Sequence, residues 1–180
     1  TNTATNGVSW NIISTGGASG YGQGNLAFER ASSLKMTLDS SGNLGLGVTP
    51  SSVLGGYKFF EFGVAGSTLF GGVSSNGLAY NGYYNSGWKY AGTGYATRYD
   101  QASGQHQFFT APSGTAGNAI SFTQAMTLDA SGNLGVGTTS PSYRFHVNGG
   151  NAGFVNSSGL NVYFGYGLGT SQYGYIAVPS

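Results

Sequence analysis

One segment of the chain reads Met36-Thr37-Leu38-Asp39-Ser40-Ser41-Gly42-Asn43-Leu44-Gly45-Leu46-Gly47-Val48-Thr49-Pro50. It returns 90 residues later as Met126-Thr127-Leu128-Asp129-Ala130-Ser131-Gly132-Asn133-Leu134-Gly135-Val136-Gly137-Thr138-Thr139-Ser140-Pro141. Internal repetition of this kind indicates an array of similar units, which is more typical of structural or adhesive proteins than of enzymes.

Apolar residues fall on even-numbered positions on both sides of each turn. In the first copy they are Leu26, Phe28, Leu34, Met36, Leu38, Leu44, Leu46 and Val48, and in the second Ile120, Phe122, Met126, Leu128, Leu134 and Val136. A period of two predicts strands with one buried face. The sequences Asp-Ser-Ser-Gly-Asn and Asp-Ala-Ser-Gly-Asn supply turn residues between the two strands of each copy.

The opposite face of each return strand carries glycine, at Gly45, Gly47, Gly135 and Gly137. Glycine along one face lets another backbone approach closely, or avoids crowding near an axis. Pro50 and Pro141 end these strands, because proline has no N–H to donate to a sheet ladder.

Composition narrows the function classes. The chain has 180 residues and 34 glycines, and only 6% of its residues are charged, against roughly 25% in ordinary soluble domains. A net charge of +1 argues against nucleic-acid binding, which needs a basic surface. No apolar run approaches the roughly 20 residues of a membrane helix, so no membrane insertion is expected. The chain has no cysteine, so its stability must come from packing or oligomerisation.

The sequence divides into three segments. Residues 1–55 hold a polar lead and the first strand-turn-strand unit, residues 56–118 are rich in Tyr and Gly, and residues 119–180 hold the second unit and a Tyr/Gly-rich end. The repeat continues past each proline, as Tyr57-Lys58-Phe59-Phe60-Glu61-Phe62-Gly63 and Tyr143-Arg144-Phe145-His146-Val147-Asn148-Gly149. Short hairpins are predicted at the Asn-Gly pairs that begin at Asn6, Asn76, Asn81 and Asn148.

The repeated segments resemble repeats in the tail fibres of tailed bacteriophages. So do the segment from Tyr143 to Gly149 and the segment His106-Gln107-Phe108-Phe109-Thr110-Ala111-Pro112-Ser113-Gly114-Thr115-Ala116-Gly117-Asn118-Ala119-Ile120. In many such fibres these repeats lie upstream of a self-cleaving C-terminal chaperone domain that assembles the trimer. No such domain follows Ser180 in this sequence, so the domain was removed, the fragment stops short of it, or it was never there. Thr1 suggests a fragment, a processed product or an ordered part of something longer.

The resemblance implies an all-β, elongated and repeat-containing trimeric fibre of short antiparallel strands and hairpins. It also implies an extracellular place on the virion, with a homotrimer contacting other tail proteins and a host cell-surface polysaccharide. Three copies around an axis would bury the apolar strand faces that one chain leaves uncovered. The predicted trimer core is Met36, Leu38, Leu44, Leu46, Met126, Leu128, Leu134 and Val136.

Catalysis finds little support in the sequence. The five carboxylates are Glu29, Asp39, Glu61, Asp100 and Asp129. Two of them, Asp39 and Asp129, are predicted to close turns. Glycoside cleavage needs two carboxylates facing one sugar, and only Glu61 and Asp100 could meet, across subunits. His106 and His146 are isolated and suggest no metal site, and His146 is expected to face solvent. We therefore expect no enzyme activity, metal or cofactor.

The densest aromatic tract has two interpretations. Its candidate glycan-binding residues are Tyr83, Tyr84, Trp88, Tyr90, Tyr95 and Tyr99. Aromatic side chains bury a large area and dominate packing in β proteins, so the tract is predicted first as core. Alternatively, a ring face can stack on the apolar face of a pyranose while polar neighbours bind its hydroxyls.

The sequence thus predicts a structural virion component, a tail-fibre segment that acts as a scaffold and as a contact for a host glycan. One alternative is a bacterial surface adhesin or an extracellular filament subunit of similar composition. A second alternative is a capsular polysaccharide depolymerase domain. A closed trimer distinguishes the fibre from a head-to-tail filament, and release of oligosaccharides would identify the depolymerase.

Overall fold

The computed structural model describes residues 9–14, 16, 21–51, 56–63 and 66–149. Within these ranges the chain is all-β, as the period-two pattern predicted, and it contains no helix. The strands are β1 (Trp10–Ser14), β2 (Leu26–Arg30), β3 (Ser33–Leu38), β4 (Leu44–Leu46), β5 (Lys58–Phe62), β6 (Ser67–Gly71), β7 (Ser75–Tyr80), β8 (Gly82–Tyr84), β9 (Trp88–Tyr90), β10 (Gly94–Ala102), β11 (Gln105–Gly114), β12 (Thr123–Leu128), β13 (Leu134–Val136) and β14 (Phe145–Val147). All of them lie in the compact unit Thr1–Asn148.

Twelve of these strands form one sheet in the order β1-β2-β3-β4-β5-β6-β7-β10-β11-β12-β13-β14, and β8 pairs with β9 in a separate hairpin. Strands from all three predicted segments therefore join the same sheet. Neighbouring strands are antiparallel, except for the parallel pairs β4–β5 and β13–β14. The sheet is thus mixed, whereas the sequence predicted antiparallel strands throughout. In each parallel pair the proline of the repeat lies in the connection between the two strands, where the chain crosses over.

Only some of the hairpin turns lie at the Gly or Asn residues that favour them. The β2–β3 turn has positive φ at Ala31 (51°) and Ser32 (60°), the two-residue geometry that suits twisted hairpins, although neither residue is Gly or Asn. Asn81 takes a φ of 56° in the turn between β7 and β8, as predicted. The predicted turn at Asn76-Gly77 is wrong, because both residues lie within β7. The Asn6 pair lies outside the described residues.

The two copies of the repeat occupy equivalent strands with the same register. Met36 is opposite Leu46 in the β3–β4 pair, and Met126 is opposite Val136 in the β12–β13 pair. After the proline, however, the strand pairing aligns the two copies one residue away from the sequence alignment, in which Phe59 corresponds to Phe145. Leu44 is paired with Phe60, and Leu134 with Phe145. A slip of one residue reverses the face of every side chain.

Each repeat turn is closed by its aspartate. Asp39 Oδ1 accepts hydrogen bonds from the backbone N–H of Ser41 (2.9 Å) and Asn43 (2.8 Å), and Asp39 Oδ2 accepts one from Asn43 Nδ2 (2.8 Å). Gly42 takes the positive φ of 82° that the turn needs. The predicted turn role of Asp39 is confirmed, and Asp129 makes the same contacts in the second copy.

Acid should therefore weaken the second turn. The backbone N–H and side chain of Asn133, followed by the N–H of Ser131, lower the pKa of Asp129 below its ordinary 3.8. A carboxylate with a lowered folded pKa contributes stability above its unfolded pKa and loses it as the pH falls through the folded value. In Asp129→Asn we expect a lower melting temperature at neutral pH and a shallower further fall below about pH 3.8. Parallel pH curves for both proteins would contradict this.

Odd-numbered residues of β4 and β13 lie beneath the chain's own crossovers. A Cβ atom at Gly45 would be 2.1 Å from the carbonyl oxygen of Val48 and 3.0 Å from Cδ of Pro50. At Gly135 it would be 2.7 Å from the carbonyl oxygen of Thr138. The glycine face does allow close backbone approach, as the sequence predicted, and the approaching backbone belongs to the same chain.

The covered face of the sheet holds the core. Phe59, Phe70 and Ala79 form one buried cluster beneath the β8–β9 hairpin. Tyr90, Ala96 and Ala111 form a second one, against which Ile120 and Phe122 pack. Polar residues of this face are also buried, with Thr37, Asn43, Glu61 and Thr127 all at 0% exposure. The crossovers cover this face, and the buried Asn43 accepts the N–H of Phe59 at 3.0 Å.

Candidate functional site

The aromatic tract is divided by the fold. Tyr83, Tyr84 and Trp88 are half-buried and pack over the Phe59 cluster, and Tyr90 is buried at 4% exposure. The Trp88 ring stacks on Phe59 with 6.1 Å between centroids. These four residues occupy core positions within one chain.

The other two members of the tract lie elsewhere. Tyr99 is half-buried on the opposite face of the sheet, where its ring centroid lies 4.9 Å from that of Phe108. Its hydroxyl bonds to Nδ1 of His106 at 2.5 Å. Tyr95 is 71% exposed. The six candidate glycan-binding residues therefore do not form one surface in the chain.

Trp88 also contacts a half-buried cation, Arg98. The guanidinium carbon of Arg98 lies 4.9 Å from the ring centroid of Trp88, 4.4 Å from that of Phe109 and 4.9 Å from that of Phe122. Its Nε donates to Asp100 Oδ1 at 2.8 Å. Burial raises the pKa of Asp100, while the Arg98 charge acts in the opposite direction. No sequence pattern predicts this cluster, because its members come from β9, β10, β11 and the segment before β12.

The two carboxylates considered for sugar cleavage are both engaged. Glu61 is 0% exposed and accepts hydrogen bonds from Ser51 N (2.7 Å), Ser51 Oγ (3.1 Å) and Gly66 N (2.8 Å). Asp100 is 6% exposed and paired with Arg98. Neither group reaches the surface of the chain, where a substrate would bind.

His146 takes the position in the second copy that Glu61 takes in the first. Gly45 is paired with Glu61, and Gly135 with His146. The His146 Nδ1 atom accepts the N–H of Ser142 at 3.2 Å. The expectation that His146 faces solvent is wrong, because the side chain is half-buried beneath the crossover. Within the described ranges, no three His, Cys, Asp or Glu residues come together in a group that could hold a metal ion.

One large side chain from each of eleven strands lies in a row across the other face of the sheet. Cross-strand pairing aligns Leu26, Leu38, Leu44, Phe60, Leu69, Leu78, Tyr99, Phe108, Met126, Val136 and Val147. We call this set the apolar row. It crosses eleven neighbouring strands, and the chain buries none of its members. Leu78 is 51% exposed and Leu69 46% exposed.

All eight predicted trimer-core residues lie on this face. Leu38, Leu44, Met126 and Val136 belong to the apolar row itself, and Met36, Leu46, Leu128 and Leu134 lie in the rows beside it. Within one chain this face is the uncovered one, and the opposite, glycine-bearing face is covered. Burial of these side chains by further copies stays a prediction.

No protein-family model matches the chain, and the search of curated proteins also found no match. The described residues include no helix with the length and apolar character needed to cross a membrane.

Proposed function

We propose that this chain is a structural segment of a bacteriophage tail fibre, in which three copies associate through the apolar row. The observation that carries this proposal is the row itself: eleven strands each present a large side chain to the same uncovered face. A soluble chain gains little from such a face alone, whereas an assembly gains its burial.

The size of the face supports an assembly. Five members of the row are between 37% and 51% exposed and the other six are half-buried. Since a large apolar side chain presents on the order of 150 Å², the row leaves several hundred Å² uncovered. Monomeric proteins rarely expose contiguous apolar patches above a few hundred Å². Stable interfaces bury about 800 Å² on each partner. The uncovered row, with the apolar rows beside it, therefore favours burial in an interface between subunits.

The same features support a structural role on the outside of a virion. The resemblance of the repeats to tail-fibre repeats suggests the homotrimer, the contact with other tail proteins and the contact with a host cell-surface polysaccharide. A low charge and a surface rich in Ser, Thr, Asn and Tyr suit an extracellular scaffold of this kind. In this proposal the chain is elongated and repeat-containing, and it does not act as an enzyme.

The mass of the assembled protein tests the proposal. Sedimentation of the 180-residue chain at micromolar concentration should give a single species of three times 18.4 kDa. Electron microscopy should show closed particles of fixed length with threefold symmetry. A folded, stable monomer would sink the proposal. Open polymers of varying length would instead favour the extracellular filament, because head-to-tail contacts do not close.

A separate assay tests the depolymerase alternative. We expect no release of oligosaccharides from host capsule, because Glu61 and Asp100 are both buried and engaged by other groups. Release that disappears in a Glu61→Gln variant with unchanged assembly would overturn the non-enzymatic part of the proposal.

A further inference from the structure

We propose that a groove beside Asn81 binds a neutral carbohydrate between two exposed tyrosines, Tyr80 and Tyr95, an inference that rests on the proposed contact with a host polysaccharide. The groove has a volume of about 550 Å³, within the range of about 300–1,000 Å³ typical of small-molecule sites. It is lined by Tyr80, Asn81, Ala91, Gly92, Thr93, Gly94 and Tyr95. Only Tyr95 belongs to the tract predicted from the sequence.

The side-chain amide of Asn81 shapes the groove. Its Oδ1 accepts the N–H of Gly92 at 2.6 Å, and its Nδ2 donates to the carbonyl oxygen of Tyr95 at 3.0 Å. The backbone carbonyl oxygen of Asn81 accepts the N–H of Ala91 at 3.3 Å. One side chain therefore holds both ends of the loop from residue 91 to residue 95. A loop held in this way loses little conformational entropy when a ligand binds.

The two tyrosines are available to a ligand. Tyr80 is 60% exposed and Tyr95 is 71% exposed. Each ring offers an apolar face and a hydroxyl, the combination that stacks on the C–H face of a pyranose and bonds to its hydroxyl groups. Thr93, which is exposed in the loop from residue 91 to residue 95, adds a third hydroxyl to the lining of the groove. Stacking surfaces and hydroxyl partners thus meet in one concave site.

The electrostatics of the groove define the class of sugar. None of its seven lining residues carries a charge. An anionic sugar would lose hydration there without gaining a cationic partner, which costs free energy. The groove therefore selects neutral glycans, and binding should depend little on salt.

The groove lies at the margin of the apolar row. On this part of the sheet the row passes through Leu78 and Tyr99. The next residues on the same face are polar or hydroxyl-bearing: Ser67, Tyr80, Thr97 and Thr110. The groove is therefore bordered on this face by hydroxyl-bearing residues, beside the apolar row.

Titration of the full chain with neutral oligosaccharides of glucose, galactose, mannose and N-acetylglucosamine tests the inference. By calorimetry we expect saturable binding of at least one of them, with a Kd that changes less than about twofold between roughly 50 and 500 mM NaCl. Replacing Tyr80 or Tyr95 with Ala should weaken binding by about threefold to tenfold each. Failure of every neutral sugar to bind the wild-type chain would overturn the site.

Tyr143→Ala is the matched control, because Tyr143 is 70% exposed but lies far along the chain from the groove. It should bind the sugar as the wild type does, and an equal loss in this variant would refute the groove. Sedimentation of the same samples reports assembly separately. Trimers that bind no neutral sugar would contradict this inference alone, whereas monomers that do bind would contradict the proposed assembly alone.

Discussion

Replacing Leu78 with Asp should abolish the proposed trimer. Leu78 lies in the middle of the apolar row, between Leu69 and Tyr99, and it is 51% exposed in the single chain. The chain alone tolerates a carboxylate there, since water reaches the position. In the assembly three carboxylates would be buried without partners, at a cost of several kcal/mol each. Sedimentation should show the trimer lost, with the dissociation constant raised by more than about a thousandfold.

Two controls separate assembly from local folding. Leu78→Met keeps an apolar side chain of similar volume and should remain trimeric. Val73→Asp places the same charge on a fully exposed residue that belongs to no strand, and it should also remain trimeric. A Leu78→Asp protein that still sediments as a trimer would show that the apolar row is not the interface.

Replacing Gly45 with Ala should destabilise the fold more than any change in the neighbouring turn. The new Cβ would lie 2.1 Å from the carbonyl oxygen of Val48, so the crossover must move away from β4. Overpacking of this kind typically costs about 1–3 kcal/mol, and more where backbone must shift. We expect a loss of at least about 3 kcal/mol in the free energy of unfolding, measured by denaturant titration.

The repeat provides a graded comparison for this substitution. At Gly135 the corresponding distance to the Thr138 carbonyl oxygen is 2.7 Å, so Gly135→Ala should cost less than Gly45→Ala. Ser41→Ala changes an exposed side chain, and Ser41 makes its hydrogen bonds to Asp39 and Lys58 through its backbone N–H and carbonyl oxygen. It should change stability by less than about 0.5 kcal/mol. Equal effects at all three positions would argue against close packing of the crossover.

Much of the fold can be predicted from interactions between residues that are close in the sequence. The period of two around Met36–Leu38 and Met126–Leu128 predicts strands, because alternate side chains of an extended chain point to opposite faces. Asp39 and Asp129 predict turns, because their carboxylates accept the backbone N–H groups two and four residues further on. These interactions span a few residues, so they can be inferred without knowledge of the tertiary structure.

The candidate site depended on contacts between distant residues. Exposed and buried tyrosines have the same letter in the sequence, and only packing distinguishes Tyr90, at 4% exposure, from Tyr95, at 71%. The groove at Asn81 brings the end of β7 against the loop from residue 91 to residue 95, ten or more positions away. The Asn81-Gly82 pair predicted a turn, but it could not predict that the Asn81 side chain would bind a second loop through hydrogen bonds.

The sequence by itself determined the strands and turns of the two repeats and the apolar face of those strands, since alternation and turn chemistry are local. The tertiary structure decided which face the chain covers. The segments 48–50 and 138–141 fold back over Gly45 and Gly135, because only a face without side chains lets a backbone approach so closely. The apolar row is left uncovered for the same reason: its large side chains exclude the chain's own crossovers.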